Sequence, residues 1–267
     1  MLRSRRLLLK RRQQQRRSNS LEGGYVYLAY PFSFFDIMTY IYKNESRPRS
    51  KTALIMCTYI RIENMPKIIQ KLKNQTNKRF DFYISNNCEN KDNKLIGYFN
   101  KYGVDFGINV FIKNYENKYK QFSRFYLARE LALQGYEKII FVDDDEVLPS
   151  TFIQDCYDQY DENYIKSFYA HKFEKNYWEK IRLIRGELGN YAGTGGLVCS
   201  SKVFLDDKLF ECPEEYYIID DLWFSYYILR YTQYKITLLD TNIQFIKDAK
   251  GTFTHLKEVK RKFSDDY

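Results

Sequence analysis

"YEKIIFVDDDEVLP", residues Tyr136 to Pro149, decides how this chain reads. Four apolar residues, Ile139-Ile140-Phe141-Val142, run straight into four acids, Asp143, Asp144, Asp145 and Glu146. A short apolar run bounded by polar residues reads as a buried strand. Four like charges at its end repel one another, so the arrangement is costly unless positive charge lies beside them. Paired carboxylates at a strand end suit a hard divalent cation, Mg²⁺ or Mn²⁺, bound jointly with substrate phosphates. A diphosphate leaving group needs such a cation, because charge develops on its oxygens as the bond breaks. A solvated acidic loop is the plainer alternative, but a loop needs no apolar strand feeding it.

The same pattern extends outward from this stretch. "TALIMCTY" from Thr52, "FDFYISNN" and "INVFIKN" are short apolar runs ending in polar residues, and each reads as a strand. Between them, "NMPKIIQKLKNQT" places Ile68, Ile69 and Leu72 on one helical face. "NKLIGYFNKYG" and "QFSRFYLARELALQGY" read as further helices. Strands alternating with helices predict an α/β fold, with a central, mainly parallel sheet flanked by helices and right-handed crossovers. In open sheets of this kind, ligands bind beyond the carboxyl ends of the strands. The polar ends Thr58-Tyr59, Asn86-Asn87, Asn114 and the acids therefore predict one site along one edge. The second half is less regular. "NYAGTGGLVCSSKVF" is glycine-rich and then apolar, "YYIIDDLWFSYYILRYTQ" opens a helix on paired acids, and "YKITLLD" reads as a strand.

The composition, 44% hydrophobic and 18% aromatic over 267 residues, supports a folded core. The net charge of +9 looks like a nucleic-acid signal until it is located. Eight of those charges fall in "MLRSRRLLLKRRQQQRRSNS", which holds no acid, so the remaining body is near neutral. Five cysteines without a CxxC pair argue against a zinc ribbon or disulfide scaffold and favour a reducing compartment. "YVYLAYPFSFFDIMTYIY", Tyr25–Tyr42, barely reaches the length of a membrane span and carries Pro31 and Asp36. It reads either as a signal anchor behind a basic stretch or as an aromatic segment packed on the domain or at an interface. The expected organisation is a basic tail, aromatic segment and linker over residues 1–50, and a catalytic domain over 51–267. The location is cytoplasmic or membrane-associated.

From Thr52 to about His255 the chain resembles glycosyltransferases of the GT-A fold, family 2 in particular. The family opens with a strand running into a Thr-Tyr-Asn-Arg-like turn, here "CTYIR", and "LKNQT" matches the end of its first helix. "LARELALQGYEKIIFVDDDEVLP" matches its Ala-Arg-Asn helix and DxD acids, in order and nearly in spacing. "GTGGLVCSS" resembles its acceptor-side glycine-rich segment, and "DDLWFSYYILR" its Glu-Asp motif opening a helix. "ISNNCEN" stands where the family has a strand ending in acids.

The resemblance implies a GT-A type, Rossmann-like sandwich and a metal-dependent, inverting transfer from a nucleotide-sugar. It implies Asp145 as metal ligand, Asp143 as a second ligand nearer the ribose and donor sugar, with Asp144 beside it, and His255 as a further ligand. Asp221 is then the general base, which a carboxylate can be because the hydroxyl becomes acidic only as it attacks. Asp220 orients the acceptor. An acidic pair stabilised by a helix N-terminus is the simpler account of both. Thr58, Tyr59 and Arg61 line the base and phosphates, with Asn86 and Asn87 on the base and Arg129 or Arg124 on the diphosphate. The donor is a UDP-sugar and the acceptor a glycan, lipid or protein. Residues 168–190 and their aromatics select that acceptor, and residues 25–42 offer membrane association. Two rivals come from other classes. A nucleotidyltransferase would carry a glycine-rich loop after the first strand, which "CTYIRIENM" lacks. A nucleic-acid binder would rest on the basic tail alone, giving weak and salt-sensitive binding.

Overall fold

The computed structural model describes residues 39–42, 48–88, 92–102, 107–174, 177–246 and 256–266. The chain divides at Phe35/Asp36 into two units, and the first lies wholly outside the described residues. So do the basic tail, most of the aromatic segment 25–42, and His255.

Among the described residues, the second unit has 14 strands: β1 (Thr39–Tyr42), β2 (Thr52–Thr58), β3 (Asp81–Asn86), β4 (Val110–Asn114), β5 (Lys138–Asp143), β6 (Glu146–Val147), β7 (Tyr164–Ser167), β8 (Ala170–Phe173), β9 (Lys180–Arg182), β10 (Leu188–Gly189), β11 (Tyr191–Ala192), β12 (Leu197–Ser200), β13 (Lys235–Leu238) and β14 (Gln244–Phe245). Its helices are α1 (Met65–Lys73), α2 (Asp92–Tyr102), α3 (Ser123–Leu133), α4 (Phe152–Gln159), α5 (Asp220–Tyr231) and α6 (Leu256–Asp266).

Nine strands form one sheet in the order β1-β4-β3-β2-β5-β12-β7-β13-β10. The neighbours β4, β3, β2 and β5 are parallel, as the alternating pattern predicts. β12 then runs antiparallel between β5 and β7, and β7 and β13 resume the original direction. With β1 and β10 antiparallel at the two edges, six of the nine strands point one way.

β2 is buried along its whole length, because both faces of the sheet are covered. Ala53 and Ile55 pack on one side with Phe125 and Leu131 of α3 and with Leu222, Phe224 and Ile228 of α5. Leu54 and Met56 pack on the other with Ile68, Ile69 and Leu72 of α1, Leu95 and Phe99 of α2, and Phe152 of α4. The result is a three-layer α/β/α sandwich. The contiguous apolar runs of β2 and β5 are those of strands covered on both faces.

α3 is closed by Gly135 at φ +90°, with hydrogen bonds from Gly135 N to Ala132 O (3.0 Å) and from Tyr136 N to Leu131 O (3.1 Å). That double bond is a Schellman cap, and it turns the chain directly into β5.

The ordered sheet also takes in residues before position 51. β1 pairs with β4 through Thr39–Ile112 and Tyr40–Phe111, so the folded unit reaches back past the presumed linker. The last four residues of the aromatic segment are thus an edge strand. Among the described residues, no helix is long and apolar enough to cross a membrane.

Candidate active site

Parallel pairing puts the ends of four strands side by side. Thr58 is in register with Asn86 and Asn86 with Asn114, while Cys57 is in register with Asp143. The acids therefore emerge at the edge where an open α/β sheet binds its ligands.

Positive charge does lie beside them, supplied by two arginines. Arg124, from the first turn of α3, is almost wholly buried, and its Nη1 donates to Asp143 Oδ1 (2.9 Å) and Thr194 Oγ1 (3.0 Å). Its Nε lies 3.2 Å from Asp220 Oδ2, a charge contact without the alignment of a hydrogen bond. Burial works against the guanidinium's charge, but Asp220 and Asp143 outweigh it and hold its pKa above the ordinary value. Arg61, in the turn after β2, donates from Nη1 to Asp145 Oδ2 (2.6 Å) and Asp144 Oδ1 (3.3 Å). One strand-end acid and one acid of α5 are thus joined through a single buried cation, across 77 residues of sequence separating Asp143 from Asp220.

The acids divide by environment. Asp143 and Asp145 keep 36% and 22% of their side-chain surface. Asp144 faces inward, where Thr58 Oγ1 donates to its Oδ2 (3.0 Å) and Asn64 Nδ2 to its carbonyl (2.8 Å). Burial pushes its pKa up to about 6, with Arg61 opposing. Burial also raises Asp145, with Asp143 adding to the effect. Glu146 is fully enclosed. Its Oε2 accepts from the Asp143 amide (3.0 Å), while Oε1 has no hydrogen-bond partner. Burial pushes its carboxyl well above the usual range, and the charge of Asp143 pushes it further.

The loop before β12 presses on this group. A Cβ at Gly195 would lie 2.3 Å from Glu146 Oε1 and 2.8 Å from Asp143 Oδ2, so any side chain there would displace the two carboxylates. Because β12 is antiparallel to β5, the residues that precede it arrive where β5 ends. A short ribbon, β14 on β6, and a bond from Ile246 N to Asp145 O (2.8 Å) close the far side.

Asp220 and Asp221 open α5 as the pattern predicts. Asp220 is buried, and burial raises its pKa despite Arg124. Asp221 is partly exposed. Its Oδ1 accepts from the Leu222 amide (2.9 Å), and its Oδ2 accepts a short hydrogen bond from the Tyr191 hydroxyl.

Several expected contacts fall out differently. Thr58, Asn86 and Asn87 sit at the strand ends but turn inward: Asn86 Nδ2 donates to Asn114 Oδ1 (2.9 Å), and Asn87 Nδ2 to Lys120 O and Ser123 Oγ (both 2.9 Å). Asn87 Oδ1 is buried with no partner. Tyr59 is exposed, and its hydroxyl accepts from Asn117 Nδ2 (3.3 Å). Arg61 lies on the acids. Arg129 is not brought to them: it donates to Asp207 and its guanidinium lies 4.7 Å from the Phe210 ring centre. Arg124 holds the position that the sequence left open between the two arginines. Glu146, Gly195 and Tyr191 were missed as site residues, although all three fall inside the quoted "DDDE" and "NYAGTGG" stretches.

Among the described residues, no three His, Cys, Asp or Glu side chains converge as a ready cation cage. The donor chemistry still fits a hard divalent ion that takes one or two carboxylates and completes its shell with substrate phosphates. Asp143 and Asp145 each give one oxygen to an arginine, and the unpartnered Oε1 of Glu146 lies beside Asp143 Oδ2 over Gly195.

No protein-family model matches the sequence, and no characterised protein matches it in sequence. Among solved structures, the chain is similar to S. aureus TarS residues 1–349 in complex with UDP, at 13% identity and a TM-score of 0.49. That match covers 70% of this chain and 57% of the TarS fragment. The same fragment with UDP-GlcNAc matches at 12% identity and a TM-score of 0.48, over 70% of this chain and 55% of that one. A further TarS structure matches at 14% identity and a TM-score of 0.48, covering 70% of this chain and 34% of that one. The chain thus spans little more than half of the TarS fragment.

Proposed function

We propose that this protein is an inverting glycosyltransferase of the GT-A type, moving a sugar from a UDP-sugar to an acceptor hydroxyl. One observation carries the reading: Arg124 ties Asp143, which ends β5, to Asp220, which opens α5, so acidic motifs from different parts of the chain meet in one site. One pair suits a donor diphosphate and the other an acceptor hydroxyl.

In the proposed step the acceptor oxygen forms a bond to the anomeric carbon from the face opposite the diphosphate. The bond from that carbon to the diphosphate oxygen breaks, and its electron pair leaves with UDP. The acceptor proton passes to Asp221, whose partly exposed carboxylate keeps lone pairs beyond those taken by Tyr191 and Leu222. Mn²⁺ or Mg²⁺, which Asp143 and Asp145 would hold with His255 as a candidate third ligand, would supply positive charge to the departing diphosphate. Asp220, pinned by Arg124, fixes the first turn of α5 and so the direction of Asp221. Tyr59 offers an exposed ring beside the donor edge. The acceptor remains one of three classes, glycan, lipid or protein, and membrane association through residues 25–42 belongs to the same proposal. The rival nucleotidyltransferase reading gains nothing from the turn after β2, which is a single 3-10 turn, Ile62–Asn64, with no glycine.

The test is calorimetric binding of UDP to the full chain, with Mn²⁺ and then with chelator, beside Asp145→Asn. Metal-dependent binding that the variant loses supports the reading. Binding indifferent to both metal and Asp145 overturns the donor site.

A further inference from the structure

Beside Asp221 the small sheet β11-β8-β9 turns one face toward the site. Tyr191 of β11 pairs with His171 of β8, and His171 with Arg182 of β9, so these three share that face. Phe173 and its partner Lys180, two residues along, share it too. Ring contacts agree, since the Tyr191 ring centre lies 5.9 Å from that of His171 and 4.8 Å from that of Phe173. Tyr191 also donates to Asp221 Oδ2, which sets this face against the proposed base.

Three cations collect there, each held on an aromatic ring. The Arg182 guanidinium lies 4.6 Å from the Phe168 ring centre, and Lys180 Nζ 4.6 Å from that of Tyr177. The third comes from α6: Lys260 Nζ lies 4.0 Å from the same Tyr177 ring and donates to its hydroxyl (2.8 Å). Two ammoniums from distant segments thus share one ring, whose centre stands 5.9 Å from that of Tyr191. A ring face attracts a cation but leaves its charge in place. Among the described residues, none of the three forms an ion pair with a carboxylate. Lys260 is half-buried and has three N–H donors, of which the Tyr177 hydroxyl takes one. Like charges gathered without a counter-charge raise one another's energy, and sheltered donors without acceptors add to it. Lys180 and Arg182 are exposed, so a ligand can reach the cluster from solvent.

We infer that Lys180, Arg182 and Lys260 form a subsite for a negatively charged group, phosphate or carboxylate, which the acceptor carries near the hydroxyl that takes the sugar. This rests on the reading of Asp221 as the base, and it narrows the acceptor to an anionic one. The three residues bind and orient; none acts on the anomeric carbon. A guanidinium offers two parallel N–H donors to two oxygens of such a group, and the ammoniums act on it as point charges. The anion supplies the counter-charge that the cluster lacks.

The test is a ligand-observed NMR titration of the full chain with glucose 6-phosphate, glucuronate and glucose, in saturating UDP and Mg²⁺ so that the donor edge is occupied. The three probes share one sugar ring and differ in the group that carries the charge. At least one anion should bind about tenfold more tightly than glucose, the worth of one hydrogen bond to a charged group, and the tighter one names that group as phosphate or carboxylate. Lys260→Met and Arg182→Met should each weaken its binding about tenfold for the same reason, with the affinity for UDP unmoved. Arg185→Met removes an exposed cation from the turn after β9 and should change anion affinity less than about twofold, because solvent screens it. Should Lys260→Met disturb α6, Lys180→Met carries the same expectation from β9. If UDP binds but neither anion binds more tightly than glucose, or the variants lose no affinity, the subsite is wrong and the transferase stands. If UDP itself does not bind in the presence of metal, the transferase reading falls, and the acceptor role of the cluster falls with it.

Discussion

Arg124 is the residue on which the site depends. Its guanidinium neutralises Asp143 and Asp220 inside the protein, where a charge left alone is expensive. Arg124→Met should therefore cost about 3–5 kcal/mol of unfolding free energy in urea, the usual penalty for leaving a buried charge without its partner. Arg129→Met, five residues on, removes a pair whose Asp207 partner is 60% exposed and should cost about 1 kcal/mol or less. Sequence alone could not choose between these two arginines. Both lie on one helix with suitable chemistry, and only the packing of α3 against β5 and α5 decides which faces the acids. Thr58 and Asn86 show the converse limit, since their place at the strand ends was legible and their inward rotation was not. His171 is buried between Tyr169 and Tyr191. Burial lowers its pKa, and Lys180 and Arg182 add to the effect against the Tyr169 carbonyl. A His with a depressed folded pKa contributes stability that is fully present above its unfolded value, near 6.5, and is lost as the pH falls toward the folded one. The thermal midpoint should therefore drop between pH 7 and pH 5 by less in His171→Gln than in wild type.

At the scale of elements, the first half of the fold was legible because strands buried on both faces write continuous apolar runs, and β2, β3, β4 and β5 all do. β12 was visible as an apolar run too, but not its direction, which depends on a partner far away in sequence. That direction is what delivers Gly195 to the acids. Gly195→Ala should abolish UDP binding while the fold survives, because the clash is with two carboxylate oxygens of the site and not with the core. Gly135→Ala makes a useful contrast: nothing lies within 4 Å of a Cβ there, and the cost is the left-handed backbone alone, about 1–2 kcal/mol with UDP affinity intact. The β6–β14 ribbon was unreadable, because two-residue strands carry no period.

For the whole molecule, the near-neutral body and the sandwich were legible, whereas the pairing of β1 on the edge of β4 was not. A chain cut to residues 51–267 should melt lower than one cut to 36–267, having lost β1 from the edge of β4. The place of β12 bears on how the protein is made. β12 lies between β5 and β7 yet is synthesised after both, so neither can find its final neighbour on that side until residue 200 has left the ribosome. Until then β5 exposes a bare edge of Ile139, Ile140, Phe141 and Val142, a template for any other unpaired strand. Nascent chains stalled before β12 should therefore aggregate or hold a chaperone, and chains stalled just beyond it should be the first to escape.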